Sequence, residues 1–375
     1  MNDPFIPIAA PTLAGNEKAY VLDCLDSTWI SSTGKYIELF EAAFATFCGA
    51  RHAISCSNGT TALHLALLAL GVGPGDEVIV PTLTFVATAN AVKYCGARPV
   101  FADSQPDTWT IDPKAIEQRI TPLTRGIIPV HLFGHPADMD AILALARRHN
   151  LFVLEDAAQA HGAEYRTKRV GSLGDVGTFS FFGNKILTTG EGGMVVTNDN
   201  ALAAKMRLLK NHGMDPQRRY WFPVVGYNYR MTNIAAAIGL AQLERADWHI
   251  ARHMENAAWY RENLRDAPGI SWQSEQAWAR HVWWMFTVLL DEEHPLDPGE
   301  VIDHLRKRGV EGRPVLYPMH VLPPYRHSMN GESFPVADRI AQRGVSLPSS
   351  AGLSRQDIRH ISDCVLEAIG AARLL

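Results

Sequence analysis

The first three-fifths of the chain alternate short apolar runs with helical stretches, and no other feature constrains the fold as much. Residues 52–56, 77–81, 99–102, 126–132 and 151–156 read as strands, and 60–70, 84–94, 113–120 and 138–149 as the helices between them. Because these strands are apolar on both faces, they call for a parallel sheet covered by helices on each side. Beyond about Ile250 the texture changes to a long helix, a strand-like Val282-Trp-Trp-Met-Phe-Thr-Val288 and a helix over 298–307. The expectation is an α/β chain with two units. A large domain over 1–250, N-terminal segment included, holds a mostly parallel sheet flanked by helices; a smaller α+β domain spans 251–375. In such sheets, sites gather at the carboxyl ends of the strands.

One strand end stands out. The run Thr178-Phe-Ser-Phe-Phe-Gly-Asn-Lys185 delivers a lysine into a loop of hydroxyls and glycines, and a further strand, Met194-Val-Val-Thr197, follows directly. The chain has nine lysines, and most of the others sit in solvated helical patterns such as 204–210. An ammonium group at the end of a buried strand is costly unless it is paired or discharged. A Schiff-base lysine gives up its charge, and pyridoxal phosphate is the usual reason. By itself the segment reads equally well as a surface lysine in a hairpin turn.

Three more features fall at strand ends. Ser55-Cys-Ser-Asn58-Gly59-Thr60-Thr61 closes a strand and opens a helix, where free N–H groups, hydroxyls and the helix dipole suit a phosphate. Glu155-Asp156-Ala-Ala-Gln159 places a carboxylate where it can keep a pyridine nitrogen protonated. Pro81-Thr-Leu-Thr-Phe85 places an aromatic ring where it can stack on a flat one. Singly these read as a plain helix cap, a capping Asp and a core Phe. Taken together with Lys185 they form an anion cradle, an acid, a stacking ring and a lysine. No G-x-G-x-x-G follows a strand and no Walker pattern occurs, which argues against dinucleotide and P-loop sites.

Composition narrows the classes further. A net charge of −4 gives no reason to expect nucleic acid or an anionic membrane as partner. The five cysteines are scattered without a C-x-x-C and the fifteen histidines include no H-E-x-x-H, so no metal is expected. The longest apolar stretch, around 63–70, is too short to span a bilayer, and the first residues lack a leader pattern. A cytoplasmic protein is the expectation.

The elements Asn58-Gly-Thr-Thr-Ala-Leu-His64, Glu155-Asp-Ala-Ala-Gln159 and Ser180-Phe-Phe-Gly-Asn-Lys185, with Thr189-Gly-Glu-Gly-Gly193, resemble the pyridoxal-phosphate sugar aminotransferases of the DegT/StrS type. These have the aspartate aminotransferase fold, known as fold type I. The likeness runs essentially end to end and includes Trp29-Ile-Ser-Ser32 and Gly226-Tyr-Asn-Tyr-Arg-Met-Thr-Asn233. Around Ser180–Lys185 and Arg218-Arg-Tyr-Trp-Phe222 the wording is particularly similar to the GDP-perosamine synthase branch. Gln159 departs from the Glu often found in that branch.

The resemblance implies a role for each matching position. Lys185 would hold the cofactor and shuttle protons, Asp156 would meet the pyridine nitrogen, and Gln159 the ring hydroxyl. Gly59, Thr60 and Ser180 would bind the phosphate and Phe85 would stack on the ring. Asn228 would reach the phosphate of a neighbouring subunit in a homodimer. A sugar nucleotide would lie over Trp29, Ser31, Tyr317 and His320, with Arg219 and Tyr220 contributed by the partner. The implied reaction takes an amino group from L-glutamate, through the pyridoxamine form of the cofactor, to C4 of a nucleotide-linked 4-keto-6-deoxy sugar. GDP-4-keto-6-deoxymannose is the first choice, with dTDP- and UDP-linked keto-sugars as alternatives. A related subgroup that dehydrates instead carries histidine at the lysine position; Lys185 favours transamination over that or a regulatory role.

Overall fold

A computed structural model describes residues 5–328 and 331–371. Its main sheet has seven strands, in the order His52–Cys56, Gly193–Thr197, Val176–Ser180, Phe152–Asp156, Thr124–Ile127, Glu77–Pro81, Arg98–Ala102. The pairings from Val176–Ser180 to Arg98–Ala102 are all parallel. Gly193–Thr197 runs antiparallel to both of its neighbours, so His52–Cys56 again points the same way as the rest. The carboxyl ends of six strands therefore share one edge. Cys56 and Ser180 both pair with Gly193 there, and Asp156 pairs with Thr178 two residues before Ser180.

Local chemistry explains most of the boundaries. Asp112, Asp138, Asp199 and Asp297 each accept hydrogen bonds from backbone N–H groups in the first turn of the helix that follows, with Pro113 and Pro298 at the first helical positions. Three stretches differ from the sequence expectation. The run 126–132 stops being a strand at Ile127, because Pro129 has no N–H to give; its carbonyl instead accepts from Asp156 N at 2.9 Å, and Leu132–Gly134 closes as a 3₁₀ turn. The helix expected from Thr84 begins at Ala87, since 82–86 crosses the strand ends first. Of 282–288 only the end is strand, within Phe286–Leu290. Trp283 N donates to His281 Nδ1 at 3.1 Å and Val282 N to Gly134 O at 3.2 Å, which bends 282–285 into an irregular wall.

Helices cover both faces of the main sheet. Under the hairpin that leads to Lys185, the buried rings of Phe40, Phe44, Phe179 and Phe181 interlock, Phe44 lying 4.9 Å from Phe179 and 5.2 Å from Phe181. A second, antiparallel sheet has the order Ile270–Trp272, Phe286–Leu290, Gly344–Leu347, Arg313–Pro314. It packs through Tyr260, Phe286, Leu305, Ile361 and Val365 against helices 246–263, 298–307 and 355–371. The helix Ala246–Asn263 runs continuously through residue 250. The N-terminal segment lies along the second unit, with Ile6 N donating to Gly309 O and Glu311 N to Ile6 O. Among the described residues no helix is long and apolar enough to cross a membrane.

Candidate active site

The shared strand edge opens into a cavity of about 480 Å³, within the range of small-molecule sites. Its lining includes Gly59, Thr60, Phe85, Asp156, Gln159, Ser180 and Lys185. Seven residues singled out from scattered strand ends thus meet in one place.

The cradle at one end is built from the helix Gly59–Ala69. Asn58 caps it: its side-chain oxygen accepts from Thr61 N at 2.9 Å, while Asn58 N donates to Thr61 Oγ1 at 3.1 Å. That reciprocal cap leaves the N–H groups of the first turn at Gly59 and Thr60 beside the cavity. A Cβ at Gly59 would sit 2.7 Å from Ser180 Cβ, so glycine is what lets the helix end and the Val176–Ser180 strand approach. A Cβ at Gly193 would be 2.2 Å from Asn58 O. Gly59 and Ser180 line the cavity at the positive end of the helix dipole, and Gly193 lets its strand pack close behind them.

Asp156 is buried at the end of its strand. Its Oδ2 accepts from Thr88 Oγ1 at 2.7 Å and its Oδ1 from Ala158 N at 3.2 Å. Burial raises its pKa, opposed by these two hydrogen bonds and by the Lys185 charge. Among the described residues no cation forms an ion pair with this carboxylate, whose hydrogen bonds come from Thr88 and Ala158. The neighbouring Glu155 faces the opposite side and does structural work. It accepts from the N–H groups of Gly171, Leu173 and Gly174 and from His131 Nε2 at 3.0 Å.

Lys185 follows the strand in a turn closed by Lys185 N donating to Phe182 O. Its Nζ lies 3.8 Å from the centroid of the Trp284 ring, and Trp284 Nε1 donates to Asn184 O at 2.7 Å. The side chain keeps some surface on the cavity, but protein packs closely around the rest. That packing pushes its pKa down to about 8, with Asp156 pulling the other way. Gln159 Oε1 accepts from Phe133 N at 2.7 Å, which turns the amide N–H groups away from Phe133. Phe133 has φ 56, a left-handed conformation costly for an aromatic residue, and it stacks at 6.3 Å on Trp284. Phe85 is 55 % exposed where it lines the cavity.

The pattern of the DegT/DnrJ/EryC1/StrS aminotransferase family matches residues 11–366. The chain belongs to that family. It is 56 % identical to a GDP-perosamine synthase of Caulobacter vibrioides, the match covering 96 % of each chain. It is 49 % identical to a GDP-perosamine synthase of Escherichia coli O157:H7, over 97 % of this chain and 98 % of that one. Among solved structures it is similar to S. venezuelae DesV in complex with a ketimine intermediate. The TM-score there is 0.92 at 38 % identity, covering 98 % of this chain and 99 % of the other. Helicobacter pylori PseC, an aminotransferase of pseudoaminic acid biosynthesis, gives a TM-score of 0.93 at 29 % identity, covering 98 % and 100 %.

The remaining sequence candidates lie outside the cavity lining of the single chain. Asn228 is exposed, its Oδ1 accepting from Arg230 Nε at 2.9 Å. Trp29, 56 % exposed, lines a separate hollow with Asp23, Lys35 and Asn233; Ser31 offers its carbonyl to Asn233 N. Arg219 sits over the Tyr220 ring on an exposed loop, and Tyr317 is exposed. His320 is fully engaged: Nδ1 meets Thr82 Oγ1 at 2.8 Å, Nε2 meets Asp338 Oδ1 at 3.0 Å, and the ring stacks on Phe334.

Three lining residues escaped the sequence reading. Thr88 and Trp284 gave no signal beyond ordinary helix and strand positions. Arg313, also on the lining, is a second cation there beside Lys185, and its Nε donates to Glu311 Oε1 at 2.8 Å. Nothing local marks it in the sequence.

Proposed function

We propose that this enzyme carries pyridoxal phosphate. On this reading it transfers the amino group of L-glutamate to C4 of GDP-4-keto-6-deoxymannose, giving GDP-perosamine. The observation that carries it is the meeting of Lys185 and Asp156 in one cavity beside the Gly59–Ser180 cradle. The relatives named for GDP-perosamine synthesis, similar over nearly their whole length, support the choice of sugar.

The residues present fit the cofactor. The cradle that a Cβ at Gly59 would fill suits its phosphate, with the Gly59 and Thr60 N–H groups and the Ser180 hydroxyl as donors. The buried Asp156 carboxylate, without an ion-pair partner among the described residues, suits its ring nitrogen, the Gln159 amide its ring hydroxyl, and Phe85 its face. When bound, the cofactor supplies an electron sink that makes hydrogen on the amino-bearing carbon acidic.

The chain's residues do the rest. Lys185 Nζ would hold the cofactor and, as an amine, would carry the proton to and from the reacting carbons. A pKa lowered by burial raises the neutral fraction of this amine at neutral pH above that of an ordinary lysine. The Trp284 ring covers one side of Nζ and limits where it can swing. Arg313 offers a positive group for an anionic part of the substrates.

The homodimer belongs to the same proposal. Asn228 would reach a second copy's phosphate site. The exposed run Tyr220, Trp221, Phe222, Val224 and Val225 would be covered by that copy. Trp29, Ser31 and Tyr317, with Arg219 and Tyr220 of the second copy, are the proposed sugar-nucleotide contacts, and His320 a pin behind them. The division into a large unit to residue 250 and a smaller one beyond it is likewise proposed, with Ala246–Asn263 as the strut between them. Five unpaired, buried cysteines suit a cytoplasmic location.

A panel of GDP-, dTDP- and UDP-linked 4-keto-6-deoxy sugars, each incubated with glutamate and the reconstituted protein, tests the function. Amination of the GDP-mannose derivative in preference to the others supports it. Cofactor uptake with no amination of any of them would contradict it.

A further inference from the structure

The partner of Asp156 is itself partnered. Thr84, Thr88 and Asp156 are all buried, Thr88 to 1 % exposure, and their polar atoms line up. Thr88 Oγ1 lies 2.7 Å from Asp156 Oδ2 and 3.3 Å from Thr84 Oγ1. Thr88 has one hydroxyl hydrogen, and an ionised carboxylate can only accept. The shorter contact claims that hydrogen, leaving Thr84 to donate to the Thr88 oxygen. The result is a directed chain, Thr84 to Thr88 to Asp156, in which each bond polarises the next.

We propose that Thr88 is a positioning residue. Its hydroxyl fixes the orientation of the Asp156 carboxylate and stabilises its negative form, and so sets how far the proton between Asp156 and the cofactor's ring nitrogen resides on the nitrogen. This rests on the cofactor reading above. Among the described residues, the hydrogen bonds to the carboxylate come from Thr88 Oγ1 and Ala158 N. The backbone donor cannot be altered by side-chain substitution, so Thr88 is the adjustable member. The charged and titratable groups that act on Asp156 are Lys185, from the loop after Ser180, and His131, from the turn after Thr124–Ile127. His131 Nδ1 accepts from Ala137 N and its Nε2 donates to Glu155, so it is committed elsewhere.

The same segment explains why Thr88 is held so firmly. Residues 82–88 cross the strand ends, with Thr82 O accepting from Met319 N at 2.7 Å and Thr82 Oγ1 bonded to His320. Phe85 projects from its middle. The loop 82–86 therefore carries the stacking ring and the anchor to the 317–320 segment, and the first turn of the helix it leads into, Ala87–Tyr94, carries the donor to Asp156.

The test replaces Thr88 with Val, which keeps the shape and removes the donor. Wild type, Thr88→Val, Thr88→Ser and Thr84→Val are reconstituted with ¹⁵N-labelled pyridoxal phosphate. The ring-nitrogen chemical shift and the pH titration of the visible band are then read. A hydrogen bond to a charged group is worth about a factor of ten or more. Thr88→Val should therefore shift the proton balance between Asp156 and the ring nitrogen about tenfold toward the carboxylate, moving the nitrogen signal toward the unprotonated value and raising the midpoint of the visible titration. Thr88→Ser should match wild type, and Thr84→Val should shift in the same direction by less. Identical shifts and midpoints in wild type and Thr88→Val overturn the inference, as does a serine variant that behaves like valine. If Thr88→Val does not fold, the Thr84→Val shift decides, and its absence counts against the relay. A wild type that never takes up the cofactor overturns the underlying reading as well, so the two failures are distinguishable.

Discussion

Replacing Gly59 with Ala tests the cradle at its tightest point. The added Cβ would lie 2.7 Å from Ser180 Cβ, 3.1 Å from its Oγ and 3.3 Å from its Cα. Carbon atoms pack best at about 3.5–4.0 Å, so strand and helix end must separate by roughly 0.8 Å. Gly59 has an ordinary φ, so alanine suffers no backbone strain there and gains something as a helix former, about 1 kcal/mol at most. Overpacking of this kind costs about 1–3 kcal/mol, and the loss outweighs the gain because backbone flanks the contact on both sides. The expected net destabilisation is about 1–2 kcal/mol, with cofactor affinity falling at least tenfold as the N–H groups move. Urea unfolding and titration with pyridoxal phosphate read the two effects separately. Adding Ser180→Gly removes the 2.7 Å contact and should return most of the lost stability, but not the affinity, because it deletes a hydroxyl proposed to bind the phosphate. A Gly59→Ala protein with unchanged midpoint and affinity would refute the reasoning, as would a double variant no more stable than Gly59→Ala alone.

Other perturbations have equally definite outcomes. Burial lowers the pKa of His135, His249 and His253 to about 4 and of His161 to about 3, and it lowers that of His281 well below the usual histidine value. Folded, these rings resist protonation while the unfolded chain binds protons near pH 6.5, so their contribution is complete above 6.5 and is lost as pH falls toward 4. For His135, His249 and His253 a shift to about 4 corresponds to something on the order of 3 kcal/mol each; a urea midpoint unchanged between pH 7.5 and 5 would contradict this. Phe44→Ala should cost about 3–5 kcal/mol by opening the ring cluster under the lysine hairpin, measured by denaturant unfolding. Lys210 Nζ holds Glu41 at 3.0 Å and the Ser55 carbonyl at 2.9 Å just below the cradle. Lys210→Met should destabilise by about 1–3 kcal/mol, the pair being largely buried, and Glu41→Gln in the same chain should recover part of it.

The sheet and the residues that meet in the cavity were legible because they rest on local rules. Buried parallel strands must be apolar on both faces, and their chemistry must sit where they end. Lys185, Asp156, Phe85 and Gly59 each follow a recognisable strand, so the parallel topology alone draws them together. The antiparallel strand 193–197 does not spoil this, because pairing on both sides restores the direction of His52–Cys56. What escaped was long-range or conformational. Trp284 reads as one more apolar residue in a strand, and only the bond from Trp283 N to His281 Nδ1 turns the segment into a wall over Lys185. Thr88 reads as a helix residue facing inward, and its value comes from a carboxylate 68 positions away. Arg313 arrives from the second sheet, and no periodicity reports that. Asn228, Arg219, Tyr220 and Tyr317 are exposed on the single chain, and the roles proposed for them depend on a second copy or a substrate.

The most direct measurement is the site of covalent attachment. The purified protein is incubated with pyridoxal phosphate, reduced with borohydride and mapped by peptide mass spectrometry. The account predicts one modified lysine, Lys185, with no visible band and no attachment at that site in Lys185→Ala. Attachment at another lysine, or none with the wild-type protein, would contradict it.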